Sequence, residues 1–330
     1  MPDPTAATAT GAATGGRGHP PVWRGPAVDL TQQDPRRGER FIKATMVTAA
    51  WLSVAVTIGI VVSLLAPTVT FFTHVGPGDF LFGTEWTAGF GNKFSWTDKA
   101  WGVMPLVAAT LIVTLIALAV AVPLGLGAAI YLSEYASERV RKVLKPVLEV
   151  LAGIPTVVYG FLALTIFTPI LGNLVQFDTI HNLLSPGIVM GFMIVPTVAS
   201  LGEDAMSAVP LALRQGSYAL GANRMKTTLR VVFPAALSGI VAAIVLAFSR
   251  AVGETMIVTI AAGSRAELTF DPREGAQTMT GFIAQVASGD APQGSPVYYS
   301  LFAVGALLFA ITFLINLASI RLVRKYRQAY

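Results

Sequence analysis

Two full charges stand four residues apart in a run that is otherwise almost wholly apolar: Arg250 and Glu254 in VLAFSRAVGETMIVTIAAG, residues 245–263. Positions i and i+4 share one face of a continuous helix, so the spacing predicts that guanidinium and carboxylate meet. The chemistry open to them is anion binding. A guanidinium stays ionised when buried and presents a planar fork that matches two oxygens of a tetrahedral oxyanion. A carboxylate beside it would orient the fork and temper its grip, because passage needs release as well as binding. A second reading stands beside the first: an ion pair that fixes helix packing and serves no ligand.

Other reactive groups are sparse. Glu203 and Asp204 close another apolar run and read as gating or structural charges, since charges near helix ends are cheap. Thr156, Tyr159 and Asn316 suit either a pathway lining or hydrogen bonds between helices. His19, His74 and His181 fall in separate segments without ligand spacing, so no metal site is expected. The chain has no cysteine, which excludes disulfides and thiolate metal sites. No G-x-x-x-x-G-K-[ST] loop occurs, so ATP binding by a Walker motif is not expected. Nor does any Ser/His/Asp set or carboxylate pair suggest catalysis. The chain reads as a protein without enzymatic activity or a cofactor of its own.

The elements that position these residues belong in lipid. Of 330 residues, 54% are hydrophobic and 12% charged, against about 25% charged in soluble domains. Six runs are long enough to cross roughly 30 Å of hydrocarbon as helices: about 43–66, 104–133, 147–172, 186–208, 237–263 and 298–320. Helices are required because lipid offers no partner to backbone polar groups. Arg17, Arg24, Arg36, Arg37, Arg40 and Lys43 precede the first run. Arg139, Arg141, Lys142 and Lys145 lie between the second and third. Arg214, Arg224, Lys226 and Arg230 lie between the fourth and fifth, and Arg321, Arg324, Lys325 and Arg327 follow the sixth. The other side has only Lys93, Lys99, Arg265 and Arg273. By the positive-inside rule both termini are cytoplasmic. The net charge of +5 therefore reads as membrane topology rather than a nucleic-acid footprint. Residues 1–42, rich in Ala, Thr, Gly and Pro, read as a disordered cytoplasmic tail, and the long run that opens at residue 43 as a retained anchor rather than a cleaved signal. The permease body is 43–330.

Two external loops, about 67–103 and 264–297, carry Trp and Phe that suit an interfacial belt or a docking surface. The cytoplasmic loop 207–235 is more informative. In MSAVPLALRQGSYALGANRMKTTLRVVFPAAL (206–237) apolar residues alternate with polar ones in a helical pattern after Pro210. Gly221 allows a bend, and Pro234 ends a second stretch. Such a helix–turn–helix suits a groove on another protein or the lipid surface.

That loop resembles one shared by the permease subunits of ABC importers, of the form E-A-A-x-x-x-G-x9-I-x-L-P. Gly221, Val231, Phe233 and Pro234 stand at the G, I, L and P positions. Gln215, Gly216 and Ser217 replace Glu-Ala-Ala, so the first position carries an amide instead of an acid. SEYASERVRKVLKPVLEVLAGIPTVVYGF (133–161), PTVASLGEDAMSAVP (196–210), QGSYALGANR (215–224) and SRAVGETMIV (249–258) resemble phosphate-specific transporter permeases. FLFGTEW (80–86) is similar to the PstC-type subunit. The resemblance covers residues 43–325.

It implies an all-α integral membrane protein of six helices with the type I importer (MetI-like) fold in a prokaryotic cytoplasmic membrane. It further implies a PstA-type second permease, two PstB-type ATPases that carry ATP and Mg and dock on the cytoplasmic loop, and a PstS-type external phosphate-binding protein. Arg250 and Glu254 would serve translocation. The alternatives are a permease for another oxyanion such as molybdate or sulfate, an ATP-independent secondary transporter or channel, and a membrane scaffold. No convincing internal repeat of the kind common in secondary transporters is present.

Overall fold

The structure, a computed structural model, describes residues 37–88, 96–97, 100–177, 179–289 and 291–326. The tail as far as residue 36, with His19, lies outside the described residues, as do Lys93 and Lys99. The chain divides into two compact units, Met1–Thr57 and Ile58–Tyr330. The described part of the first is helical throughout.

Apart from one bridge between Trp86 and Trp101, every regular element among the described residues is a helix. In chain order they are α1 (Arg37–Phe72), α2 (Pro77–Phe82) and α3 (Met104–Ile130), which continues through a π turn at Tyr131–Tyr135. Then come α4 (Glu138–Ala152), α5 (Thr156–Leu162), a π turn at Ala163–Phe167, α6 (Thr168–Gly172) and α7 (Leu184–Ser207). The loop after α7 holds α8 (Leu211–Ala219), α9 (Arg224–Thr227), a π turn at Thr228–Val232 and α10 (Phe233–Ala235). Last are α11 (Leu237–Val252), α12 (Met256–Ala261), α13 (Met279–Ser288) and α14 (Pro296–Tyr326). Residues 37–42, expected in the tail, belong to α1. Glu39 lies in the first turn, where the positive end of the helix dipole favours an acid.

Four helices are long and apolar enough to cross a bilayer, and there are six crossings if each of two bent pairs counts as one. The run 147–172 is not one straight span. It begins as the end of the amphipathic α4, and the chain turns by 83° before α5 and α6. Gly153 and Pro155 cause the break: proline lacks an amide donor and drives the residue before it toward extended conformations. A second bend of 71° separates α9–α10 from α11. The predicted span 237–263 is also interrupted, because α11 ends at Val252 and α12 opens at Met256.

The centre of the bundle is the α3–α7 pair. Gly187 faces Ile116, Gly191 faces Val120, Val198 faces Gly125 and Gly202 faces Ala129. The two sets of residue numbers rise together, so the helices run parallel. Small residues let transmembrane backbones approach closely. A Cβ at Gly191 would fall 2.7 Å from the Val120 Cβ and 2.9 Å from the Ala117 carbonyl oxygen.

At the starting end of α3 and α7, several of the loop aromatics form a buried cluster, whereas Phe82 and Phe270 are exposed. Phe71, Phe80, Trp86, Trp101 and Phe282 are buried against one another, mostly edge to face, with Trp86 and Phe282 centroids 5.0 Å apart. The segment 264–297 is likewise not a loose loop: α13 inserts into the core. Its Met279 amide donates to the Thr110 hydroxyl of α3 at 3.0 Å.

Candidate functional site

Arg250 occupies the last turn of α11. It is exposed in the single chain, and its Nη1 donates to the Thr197 hydroxyl of α7 at 3.1 Å. Glu254 lies beyond the helix end. Its carboxylate accepts from the backbone amides of Met256 at 3.1 Å and Ile257 at 3.4 Å, capping α12. The two do not form the expected ion pair. The i, i+4 expectation fails because it assumes a continuous helix, and Gly253 ends this one. The carboxylate then satisfies amides that a helix start leaves unpaired. The backbone carbonyl of Glu254 also accepts from the Thr280 hydroxyl at 2.7 Å, which ties the break to α13. Among the described residues no carboxylate pairs with Arg250, and its charge stays available.

Thr197 follows Pro196 inside α7 and lines a groove of about 320 Å³ between α4, α7 and α11, with Lys145, Leu148, Ser200, Glu203 and Leu246 among its walls. Glu203 is fully buried at the far end of this groove. It accepts from Arg141, from Lys145 at 2.9 Å and from the Ser207 hydroxyl at 3.3 Å. Asp204 reaches Lys145 at 3.2 Å. These two acids therefore bind α4 to α7 among the described residues. Arg141 and Lys145 are the partners that sequence reasoning counted only as topology signals, although their i, i+4 spacing on α4 already put them on one face. Tyr159 donates to the Leu151 carbonyl at 2.9 Å, and Asn316 accepts from Ser249 at 3.0 Å. Both serve hydrogen bonds across helix breaks or between helices.

The loop 207–235 folds as a short helix, a glycine turn and a second helical stretch. Pro210 precedes α8, Gly221 has a φ of +81°, and Asn223 caps α9 by accepting from the Lys226 amide at 2.9 Å. Ser217 and Thr227 share a hydroxyl–hydroxyl contact of 2.9 Å that closes the turn. Gln215, Gly216, Leu220, Gly221 and Pro234 are exposed, Leu220 by 90%. Val231 is half-buried, and Phe233 packs on the buried Met206, Val232 and Ile240. The motif thus divides into an outer surface and an inner anchor.

Sequence reasoning missed the deepest ion pair at this end. Arg214 of α8 donates to Glu134 at 3.0 Å, and their side chains are only 12% and 4% exposed. Nothing in the spacing of two residues so far apart in sequence announces the pair. His74 stacks on Trp96 with centroids 4.3 Å apart. His181 lines a separate small pocket with Arg265 and Glu267.

Outside the bundle, Asp271 accepts from the backbone and side chain of Arg273. Those hydrogen bonds, with the added attraction of the guanidinium charge, hold its carboxyl down at about 2. The turn presents the Pro272 carbonyl to the Leu183 and Leu184 amides at 3.0 and 2.9 Å, capping the start of α7.

Residues 121–328 match the family described as the binding-protein-dependent transport system inner membrane component. The chain belongs to this family. The probable ABC transporter permease protein YqgH of Bacillus subtilis is 36% identical, with 86% of this chain and 89% of that protein aligned. The phosphate transport system permease protein PstC of Mesorhizobium japonicum is 32% identical over 71% of this chain and 80% of its own length. A PstC 1 of Mycobacterium tuberculosis is 33% identical over 74% and 81%. Among solved structures, the chain is similar to a bacterial alginate ABC transporter in complex with a periplasmic protein. The TM-score is 0.61 at 14% identity, covering 89% of this chain and 97% of that one. The inward-facing MetNI methionine transporter gives 0.52 at 20% identity, covering 69% and 95%. The protein is an integral membrane permease subunit of the ABC importer type with the MetI-like fold.

Proposed function

We propose that this subunit carries inorganic phosphate inward as the PstC-type half of a permease pair. The observation that carries the reading is Arg250: a guanidinium in an apolar helix, exposed in the single chain, with a threonine hydroxyl and, among the described residues, no carboxylate as its side-chain partner. An uncompensated arginine inside a span is expensive, so a ligand that neutralises it in passing gives it a purpose. Two relatives named as phosphate permeases support phosphate as that ligand. Thr197 holds the fork, and Glu254 acts by building the helix break rather than by pairing with Arg250.

In this reading both termini and the α8–α10 surface are cytoplasmic, following the distribution of Lys and Arg. One of the two PstB-type ATPases docks on Gln215, Gly216, Leu220 and Gly221. ATP and Mg belong to them. A PstA-type permease completes the path and a PstS-type protein delivers phosphate on the far side. Closure of the ATPases displaces the α8–α10 surface and switches the path between its two faces.

The test is ATP-dependent phosphate uptake by membrane vesicles holding all four kinds of subunit. Arg250→Gln removes a charge-assisted contact worth about 1.5–3 kcal/mol, so uptake falls roughly ten- to hundredfold with assembly intact. Pro234→Leu lowers uptake together with recovery of bound ATPase. Wild-type uptake speed in an assembled Arg250→Gln complex overturns the role of Arg250. A correctly assembled wild type that takes up sulfate or molybdate but no phosphate moves the substrate to that anion.

A further inference from the structure

We infer that Arg214 is the rigid link through which the α8–α10 surface and the transmembrane bundle move as one body. The inference rests on the reading above, in which that surface receives the motion of an ATPase.

Arg214 belongs to α8, and its neighbours Gln215 and Gly216 face outward. The guanidinium runs the other way. It donates to the Val209 carbonyl at 2.6 Å, the Met206 carbonyl at 2.8 Å and the Glu134 carboxylate at 3.0 Å. Two of these acceptors belong to the C-terminal end of α7 and the turn that follows it, where unpaired carbonyls and the helix dipole favour a cation. The third belongs to the π turn that ends α3. One planar group therefore joins three elements. A lysine could not do the same, because its ammonium is a single point and not a fork.

The link resists opening. Glu134 is buried, and its remaining side-chain hydrogen bond is from the Ser133 hydroxyl at 3.1 Å. Withdrawing Arg214 would strand the Glu134 carboxylate and the Val209 carbonyl away from water, which is strongly disfavoured; the Met206 carbonyl keeps the Val209 amide. A push on α8 thus moves α3 and α7 before it breaks the contact. Those two helices are themselves locked in register by Gly125, Gly187, Gly191 and Gly202. Met206 lies nine residues beyond Thr197, about 14 Å along the helix at 1.5 Å per residue, and Thr197 holds Arg250. Displacement at the loop therefore arrives at the anion-facing guanidinium through an unbroken stretch of α7, since Pro196 lies on the far side of Thr197. Arg214 is a positioning residue: it touches neither ATPase nor anion.

The native chain has no cysteine, so Ser200→Cys places a single thiol in the groove beside Thr197. In the full complex, ATP with vanadate should change the rate at which a water-soluble thiol reagent labels this position. Arg214→Met should keep ATP hydrolysis within about twofold while the ATP-dependent change in labelling largely vanishes and uptake per ATP falls at least tenfold. Arg214→Lys should lie between. If Arg214→Met does not assemble, Glu134→Gln, which keeps an oxygen acceptor, should show the same dissociation in weaker form. A normal ATP-dependent labelling change in an assembled Arg214→Met complex overturns the inference. So does hydrolysis that falls in proportion to uptake across the variants, or a wild type whose labelling ignores ATP. A wild type whose labelling responds to ATP but which takes up no phosphate overturns the substrate reading alone.

Discussion

Glu203 shows how burial sets the consequence of a charge. Its carboxylate is fully buried while Arg141 and Lys145 are 42% and 33% exposed. Removing the acid leaves two cations that can reach water, whereas removing both cations leaves a stranded anion. Arg141→Met with Lys145→Met should therefore destabilise by about 3–5 kcal/mol, and Glu203→Gln by distinctly less. Thermal unfolding in detergent checks the order, and a larger loss for Glu203→Gln would refute it. Asp271 gives a pH dependence of definite sign. Its folded value of about 2 lies below the ordinary 3.8, so its contribution is present above pH 4 and lost as pH falls through 2. Between pH 4 and 2 the wild type should lose more of the protection at the start of α7, read by amide exchange, than Asp271→Asn does.

The elements were legible wherever the apolar pattern was continuous, and misleading where it was not. Hydropathy placed α1, α3, α7 and α14 because lipid demands long apolar helices. It could not see the interruptions at Gly153–Pro155 or at Gly253, since glycine and proline are tolerated inside spans and leave the average hydropathy unchanged. The Arg250–Glu254 pairing failed for that reason alone. Arg214–Glu134 was invisible for another reason: long-range pairs depend on packing, and one sequence carries no record of it. Packing also separates two glycines that look alike in VPLGLGAA. A Cβ at Gly125 would meet the Val198 Cβ at 2.6 Å, while Gly127 has nothing within 4 Å. Gly125→Ala should cost about 1–3 kcal/mol through overpacking, and Gly127→Ala should be neutral or stabilising by about 0.5–1 kcal/mol. Equal unfolding temperatures for the two variants would refute the parallel α3–α7 register.

At the scale of the molecule, one architecture serves two opposed needs. The α3–α7 pair is tight and carries no free charge, while the neighbouring groove between α4, α7 and α11 is open and lined by Thr197, Ser200 and Lys145. The rigid part can transmit motion, and the open part can host what moves. The break at residues 253–255 belongs to the second need. The Gly253 and Glu254 amides reach the Ser249 and Ala251 carbonyls, and the Thr255 hydroxyl reaches that of Gly253, but a helix that stops inside a bilayer leaves other final carbonyls for which hydrocarbon has no donor. If water serves them, it should reach the depth of Arg250 from at least one side. A thiol introduced at Gly253 should then react with a charged methanethiosulfonate reagent, and one at the outward-facing Leu115 of α3 should not. Equal inertness would mean a dry break. Under the proposed role of Arg250, a wet break would shorten the ion's journey: the distance crossed without a hydration shell would shrink to the few ångströms around one guanidinium.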